Sequence, residues 1–455
     1  MRRTTSFAMS SPSREAGFSL LEMMIAMVLG LIVAAGVLSV FQSTSTSNRA
    51  QRQMSVLQEE GRFAITRIKE DLLQANSQFC SNTGGNAALT PAGVSLDGLR
   101  SPIVYTNGAT TLPDALADLT TGIPAPTTPF SLPSYVWMRG YDCTKTACTP
   151  TDPNTADLSA GSPIPPQGAA IGQRVVGSSV LTMRYLDPTR GWVITPPGVA
   201  GSKAVAGGPN GAQLAQINLQ PLTQPKKEPD PTEFRANDLA MLADCSNAQI
   251  FAVTGQGTNT LTPDAGSNYS PPSVPDGSQP TKLFDFNTDF NTITYYLKVV
   301  DNGNGGTTGA LIRRVNGQDN ELARGVERLN FMYLVINANG DTELLTADQV
   351  DRATDANGVA IPCPPDVSLT GGMPTTGCLW RAVKNIEVSL LMDGQTPLYT
   401  LAPADLAYTY TPDGPTFNTP QPPTLHPIRP TDQGFPDQLL RREFTELVSL
   451  RNYNP

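Results

Sequence analysis

The sequence predicts an α+β chain: a long N-terminal α-helix, transmembrane in its first half, packed on a mainly antiparallel β-sheet with long loop insertions. Three observations lead there. Residues 18–41 read FSLLEMMIAMVLGLIVAAGVLSVF, apolar except for Ser19, Ser39 and the carboxylate of Glu22. From Met54 to Ala75 apolar residues then recur at three- and four-residue steps, the signature of one buried helix face. Beyond Cys80 that period fades, and β-branched and aromatic runs alternate with stretches rich in Pro, Gly, Thr and Ser.

Composition agrees. The 455 residues include 41 Pro and 39 Gly, and only 39% are hydrophobic and 16% charged. Average globular chains carry about 45–50% and about 25%, so many turns surround a modest core. A formal charge of −9 with no basic stripe excludes nucleic acid as a partner.

Residues 1–17, MRRTTSFAMSSPSREAG, set Arg2, Arg3 and Arg14 against Glu15. Such a leader stays cytoplasmic and sends the remainder of the chain across the inner membrane. The 24 residues 18–41 span about 36 Å as a helix, enough for a ~30 Å hydrocarbon core. An ordinary secretory signal is shorter, about 7–15 apolar residues, carries no acid, and is not continued by a helical pattern. Here 42–79 continues as an amphipathic helix. Met54, Leu57, Gly61, Ala64, Ile65, Ile68, Leu72 and Ala75 form its apolar face; Arg52, Glu59, Glu60, Arg62, Arg67, Lys69, Glu70 and Asp71 form a solvated one. No proline interrupts 18–79, which therefore reads as a single helix.

Residues 80–455 read as one β-rich domain on the periplasmic or extracellular side. TITYYLKVV and ALIRRV flank DNGNGGTTG, whose Asn and Gly residues suit the positive-φ positions of a hairpin. LNFMYLVI, NIEVSLLM and FTELVSL are further strands, expected in one sheet laid on the second half of the helix. Loops are expected at 84–132, 149–170, 196–232, 255–281 and 401–436. The tract TPDGPTFNTPQPPTLHPIRP is polyproline-like in composition and expected to be an exposed connector. The six cysteines all follow the apolar segment without CxxC or His-rich spacing, so structural disulfides in an oxidising compartment fit better than zinc. Of about 15 pairings that six cysteines permit, spacing favours Cys143–Cys148 and Cys363–Cys378 as local loops, leaving Cys80–Cys245 as the long-range bridge.

Catalytic chemistry is thin. The one histidine, His426, lies between Leu425 and Pro427 and reads as a loop residue. No GxSxG, HExxH or P-loop is present. NANGDTE at 337–343 alternates oxygen-bearing side chains, but Asn337 and Asn339 leave only Asp341 and Glu343 charged, and a turn between strands is the better reading than a calcium loop. No catalytic residue, metal or cofactor is therefore expected.

Gly17-Phe18-Ser19-Leu20-Leu21-Glu22, followed by an apolar run, resembles the type III signal of type IV pilins and type II secretion pseudopilins. The resemblance implies that prepilin peptidase cuts between Gly17 and Phe18, that the new α-amine of Phe18 is methylated, and that Glu22 serves subunit assembly. It also implies a pilin-like fold. The blocks LQEEGRFAITRIKEDLLQANSQFC, GSSVLTMRY, NDLAMLADCSNAQIFAVT, GVERLNFMYLV, WRAVKNIEVSLL and RREFTELVSLRN are, in that order, similar to minor pilins of the PilW kind. This implies a structural subunit that joins other minor pilins and the major pilin, primes pilus assembly and remains near the tip. The alternatives are a J-like pseudopilin of type II secretion or a pilus-carried adhesin.

Overall fold

The computed structural model describes residues 19–76, 88–90, 93–95, 102–105, 129–153, 164–224, 227–235, 238–244, 247–264, 272–275, 281–303, 305–337, 340–363, 377–398, 402 and 404–451. It divides into two compact units, residues 1–53 and residues 54–455.

Helix α1, Leu20–Leu72, is 53 residues long and belongs to both units. It stops earlier than the expected residue 79. Leu73 to Asn76 form a turn, and Asn76 takes the left-handed conformation (φ 59°) that a helix terminus needs and Asn tolerates. In the first unit the apolar side chains of α1 are exposed, from Leu20 (79%) to Phe41 (70%). In the second unit Leu57, Gly61, Ala64, Ile68 and Leu72 are buried, as the apolar period requires, with Ala75 in the turn beyond.

The strands fall into several sheets instead of the one expected. A six-stranded antiparallel sheet runs in the order Gln318–Arg324, Thr307–Val315, Phe290–Asp301, Val180–Leu186, Met138–Cys143, Cys148–Thr149. The anticipated hairpin lies within it, pairing Asp301 with Thr307, with Gly303 and Gly305 at φ 78° in the turn. A four-stranded antiparallel sheet runs Thr342–Leu345, Val326–Ile336, Val383–Asp393, Arg441–Ser449. The third, nine-stranded, includes several stretches expected to be loops: Lys203–Gly207, Gln213–Asn218 and Thr260–Pro263, with Thr281–Asp285, pair around Leu239–Asp244 and Asn247–Gln256. Among the described residues its one parallel pairing sets Ile103–Val104 beside Asn247–Gln256. The strand Leu239–Asp244 is buried on both faces. Leu239, Met241 and Ala243 join the main core, whereas Ala240 and Leu242 join a second core around Trp192 and Phe234.

Between these sheets the main core gathers the buried face of α1, Tyr295 and Leu297 of the six-stranded sheet, and Phe331, Tyr333 and Val388 of the four-stranded one. Helix α1 thus lies against both sheets. Gly61 is needed there, because a Cβ at that position would stand 2.6 Å from the Phe444 ring.

The proline-rich tract is largely exposed or half-buried, as expected of a connector, but Pro423, His426 and Pro430 anchor it in the interior. Residues 411–433 wind through four short 3-10 turns, at Thr411–Asp413, Pro415–Phe417, Pro423–Leu425 and Pro430–Gln433. Tyr408, Tyr410 and His426 are buried. Proline lacks the N–H that a sheet needs, but its fixed φ suits such turns.

Candidate functional site

Gly17 and Phe18 lie outside the described residues. Ser19 opens the helix, its carbonyl accepting from Met23 N–H at 3.1 Å. Its own N–H donates to Oε2 of Glu22, three residues on, over a long 3.4 Å. Glu22 is therefore an exposed helix-start acid that satisfies one N–H left over by helix geometry. Helix α1 is long and apolar enough to cross a membrane by length and composition, and Glu22 is the one charge in 18–41.

At the other end of α1, Asp71 is 3% exposed, contrary to its expected place on the solvated face. Its Oδ2 accepts from Tyr295 Oη at 2.6 Å and Arg313 Nε at 2.5 Å, and its Oδ1 accepts from Arg313 Nη2 at 3.1 Å. Burial, then the Asp71 charge, holds the Tyr295 phenol well above its usual range. Asp71 stands seven residues after Ala64 and three after Ile68, a spacing that belongs to the buried face even though a carboxylate suggests the solvated one. On the exposed flank Lys69 Nζ meets Glu446 of the C-terminal strand at 2.6 Å.

The four-stranded sheet carries a buried polar cluster that sequence reasoning missed. Arg441 and Glu327 form a bidentate pair at 2.7 and 2.9 Å, with side chains 0% and 1% exposed. Beside them burial, then the Glu327 charge, pushes the Asp393 carboxyl up to about 8. Tyr408 stacks on His426 with ring centroids 3.9 Å apart, and His426 Nδ1 lies 2.8 Å from Asp413, which also accepts from Arg328 at 3.1 Å. His426 is thus a loop residue, as expected, but one whose ring is buried and packed.

Two disulfides match the pairing favoured by spacing, Cys143–Cys148 and Cys363–Cys378. Cys80 and Cys245 lie outside the described residues. Asn339 lies outside the described residues; to either side of it, Asn337 N–H donates to Asp341 O at 2.9 Å and Asp341 N–H to Asn337 Oδ1 at 3.0 Å. These bonds tie together the adjoining ends of the paired strands Val326–Ile336 and Thr342–Leu345. Among the described residues no three His, Cys, Asp or Glu side chains converge as metal ligands.

Two family models match the chain. The prokaryotic N-terminal methylation motif matches residues 12–38, across the leader and the apolar run around Glu22. The type IV pilus-assembly protein W family matches residues 294–452, from the long hairpin through the whole four-stranded sheet. No curated protein and no solved structure matches. The motif implies prepilin peptidase processing, membrane anchoring through the apolar helix, and assembly with other pilins. The N-terminal match is to a prepilin-type motif and the C-terminal one, over about a third of the chain, is to a family of pilus-assembly components and not of enzymes; together they support a PilW-type pilus-assembly protein.

Proposed function

We propose that this chain is a minor pilin that joins a minor-pilin complex in the inner membrane, primes type IV pilus assembly there and stays near the pilus tip. Prepilin peptidase cuts between Gly17 and Phe18, the Phe18 amine is methylated, and residues 80–455 stand in the periplasm before export. The observation that carries the reading is Glu22: one carboxylate in an otherwise uncharged apolar stretch, four residues beyond the new N-terminus, with its hydrogen bond to Ser19 N–H a long 3.4 Å. An acid in hydrocarbon needs a partner. The cationic amine of an adjacent subunit supplies one, and their pairing fixes the axial register of the incoming helix. Removing one member of a buried pair costs about 3–5 kcal/mol, enough to prevent assembly. Because a subunit with nothing above it has no amine to bind, retention of Glu22 fits a position beneath another subunit.

Glu22→Ala is expected to be cleaved and inserted normally but to fail to co-purify with other minor pilins, with fewer pili on the cell. Gly17→Leu is expected to leave full-length precursor in the membrane. Mass spectrometry of the mature N-terminus in sheared filaments and inner-membrane fractions reads both. Wild-type partner recovery for Glu22→Ala would refute the pairing, and normal cleavage of Gly17→Leu would refute the processing site.

A further inference from the structure

The Cys143–Cys148 disulfide closes a surface hairpin whose connecting residues include the exposed Thr144, Lys145 and Thr146, while the two cysteines are 7% and 8% exposed. Beneath it lies Arg174, a guanidinium with no exposed surface. Its Nη2 donates to Asp152 Oδ1 at 3.0 Å and its Nε to Pro165 O at 3.4 Å. Its Nη1 points at sulfur, 2.9 Å from Cys143 Sγ and 3.2 Å from Cys148 Sγ. Cystine sulfur is a poor acceptor, so in the oxidised protein a buried cation spends one of its nitrogens on weak bonds. A thiolate in the same place would be a charge-assisted acceptor.

We infer that Cys143–Cys148 is an exchange-active pair, built to react with a dithiol, with Arg174 as the group that stabilises the departing thiolate. A cation beside sulfur lowers thiol pKa, and a lower leaving-group pKa makes exchange faster and reduction more favourable. The dithiol, one proton lost to solvent, attacks Cys148 Sγ. The S–S bond breaks and its electron pair leaves on Cys143 Sγ, the sulfur nearer Arg174. The second thiol of the dithiol gives its proton to solvent and attacks its own partner sulfur in the mixed disulfide. Cys148 is released as a thiolate and takes a proton from solvent. Two electrons pass from the dithiol to the cystine. The dithiol leaves as a disulfide, and Cys143 remains a thiolate on Arg174. The same charge accelerates formation of the bond, because it keeps an attacking thiolate available before the hairpin is oxidised.

The test equilibrates the purified full-length protein in detergent with graded ratios of reduced to oxidised dithiothreitol. Differential alkylation and peptide mass spectrometry then read each pair separately. Cys363–Cys378, elsewhere in the chain, serves as the internal reference, and a tenfold change in ratio is about 30 mV for a two-electron couple. Arg174→Gln is expected to raise the Cys143–Cys148 ratio about tenfold or more, with Arg174→Lys between the two and Cys363–Cys378 unmoved. Asp152→Asn removes the competing carboxylate and is expected to lower the ratio. An unchanged Cys143–Cys148 ratio in Arg174→Gln overturns the inference. Should that variant shift both pairs together through loss of structure, Asp152→Asn decides: a lowered Cys143–Cys148 ratio alone supports the inference, and an unchanged or raised one overturns it.

Discussion

Asp71 offers the sharpest quantitative test of how α1 is held. Asp71→Asn keeps the shape of the side chain and an acceptor for Tyr295 but deletes the charge that faces Arg313. The acid is 4% exposed by side chain and the guanidinium 16%. Breaking a buried pair from one side typically costs about 3–5 kcal/mol, and the partial exposure of Arg313 points to the lower end, about 3 kcal/mol. Arg313→Met should cost about 2–3 kcal/mol, because the carboxylate keeps Tyr295 and has Arg67 at 3.7 Å. The double variant should cost well under the sum, since neither side then keeps an unpaired buried charge. Urea unfolding of the full chain in detergent, followed by the fluorescence of Trp137, Trp192 and Trp380, all buried, gives the three values. A coupling of at least about 1.5 kcal/mol is expected. Additivity within about 0.5 kcal/mol would show that Asp71 and Arg313 do not act as a pair and would refute the reasoning.

Asp393 should shape the pH dependence of stability. Its folded carboxyl titrates at about 8 against an ordinary 3.8, so the folded chain keeps a proton that the unfolded chain releases. Its contribution is greatest below pH 4 and is lost as pH rises towards 8, by at most about 1.4 kcal/mol per pH unit. Asp393→Asn should flatten that slope between pH 5 and 8 in denaturation curves, and an unchanged slope would refute the assignment. Replacing Cys363 and Cys378 by Ser opens a loop with a sequence separation of 15 and should cost about 3 kcal/mol in the same assay. His426→Ala empties the space between Tyr408 and Phe417 and should cost about 2–4 kcal/mol; a change below about 0.5 kcal/mol would show that its buried ring contributes no packing.

Much of the fold is legible in order along the chain. The buried face of α1 follows from the spacing of Leu57, Ala64, Ile68 and Leu72, and the long hairpin from DNGNGG between two β-branched runs. The local disulfides follow from separations of 5 and 15 residues. What stays hidden depends on partners remote in sequence. The 411–433 tract looks like a solvated connector until Arg328 meets Asp413, which binds His426, 85 and 13 residues away. Strands such as Lys203–Gly207 and Gln213–Asn218 hold too few β-branched residues to announce themselves, and pairing within their sheet makes them strands. Asp71 misleads for the opposite reason: its position is informative and its charge is not. The N-terminal signal is legible because it is local: it lies within residues 12–38, where the methylation motif matches.

The seat of α1 also sets the order in which this protein can become itself. Gly61 rests on Phe444 and Lys69 on Glu446, so a helix made early is completed by a strand made nearly four hundred residues later. Synthesis delivers the chain from its N-terminus onward, and the second half of α1 must remain unsatisfied until Arg441–Ser449 has followed it. Contacts so distant in sequence form slowly and leave apolar surface uncovered meanwhile. The interval between the arrival of Leu57 and that of Phe444 is therefore when a chaperone or a sister subunit has most to offer this chain, and when a nascent copy is most exposed to degradation.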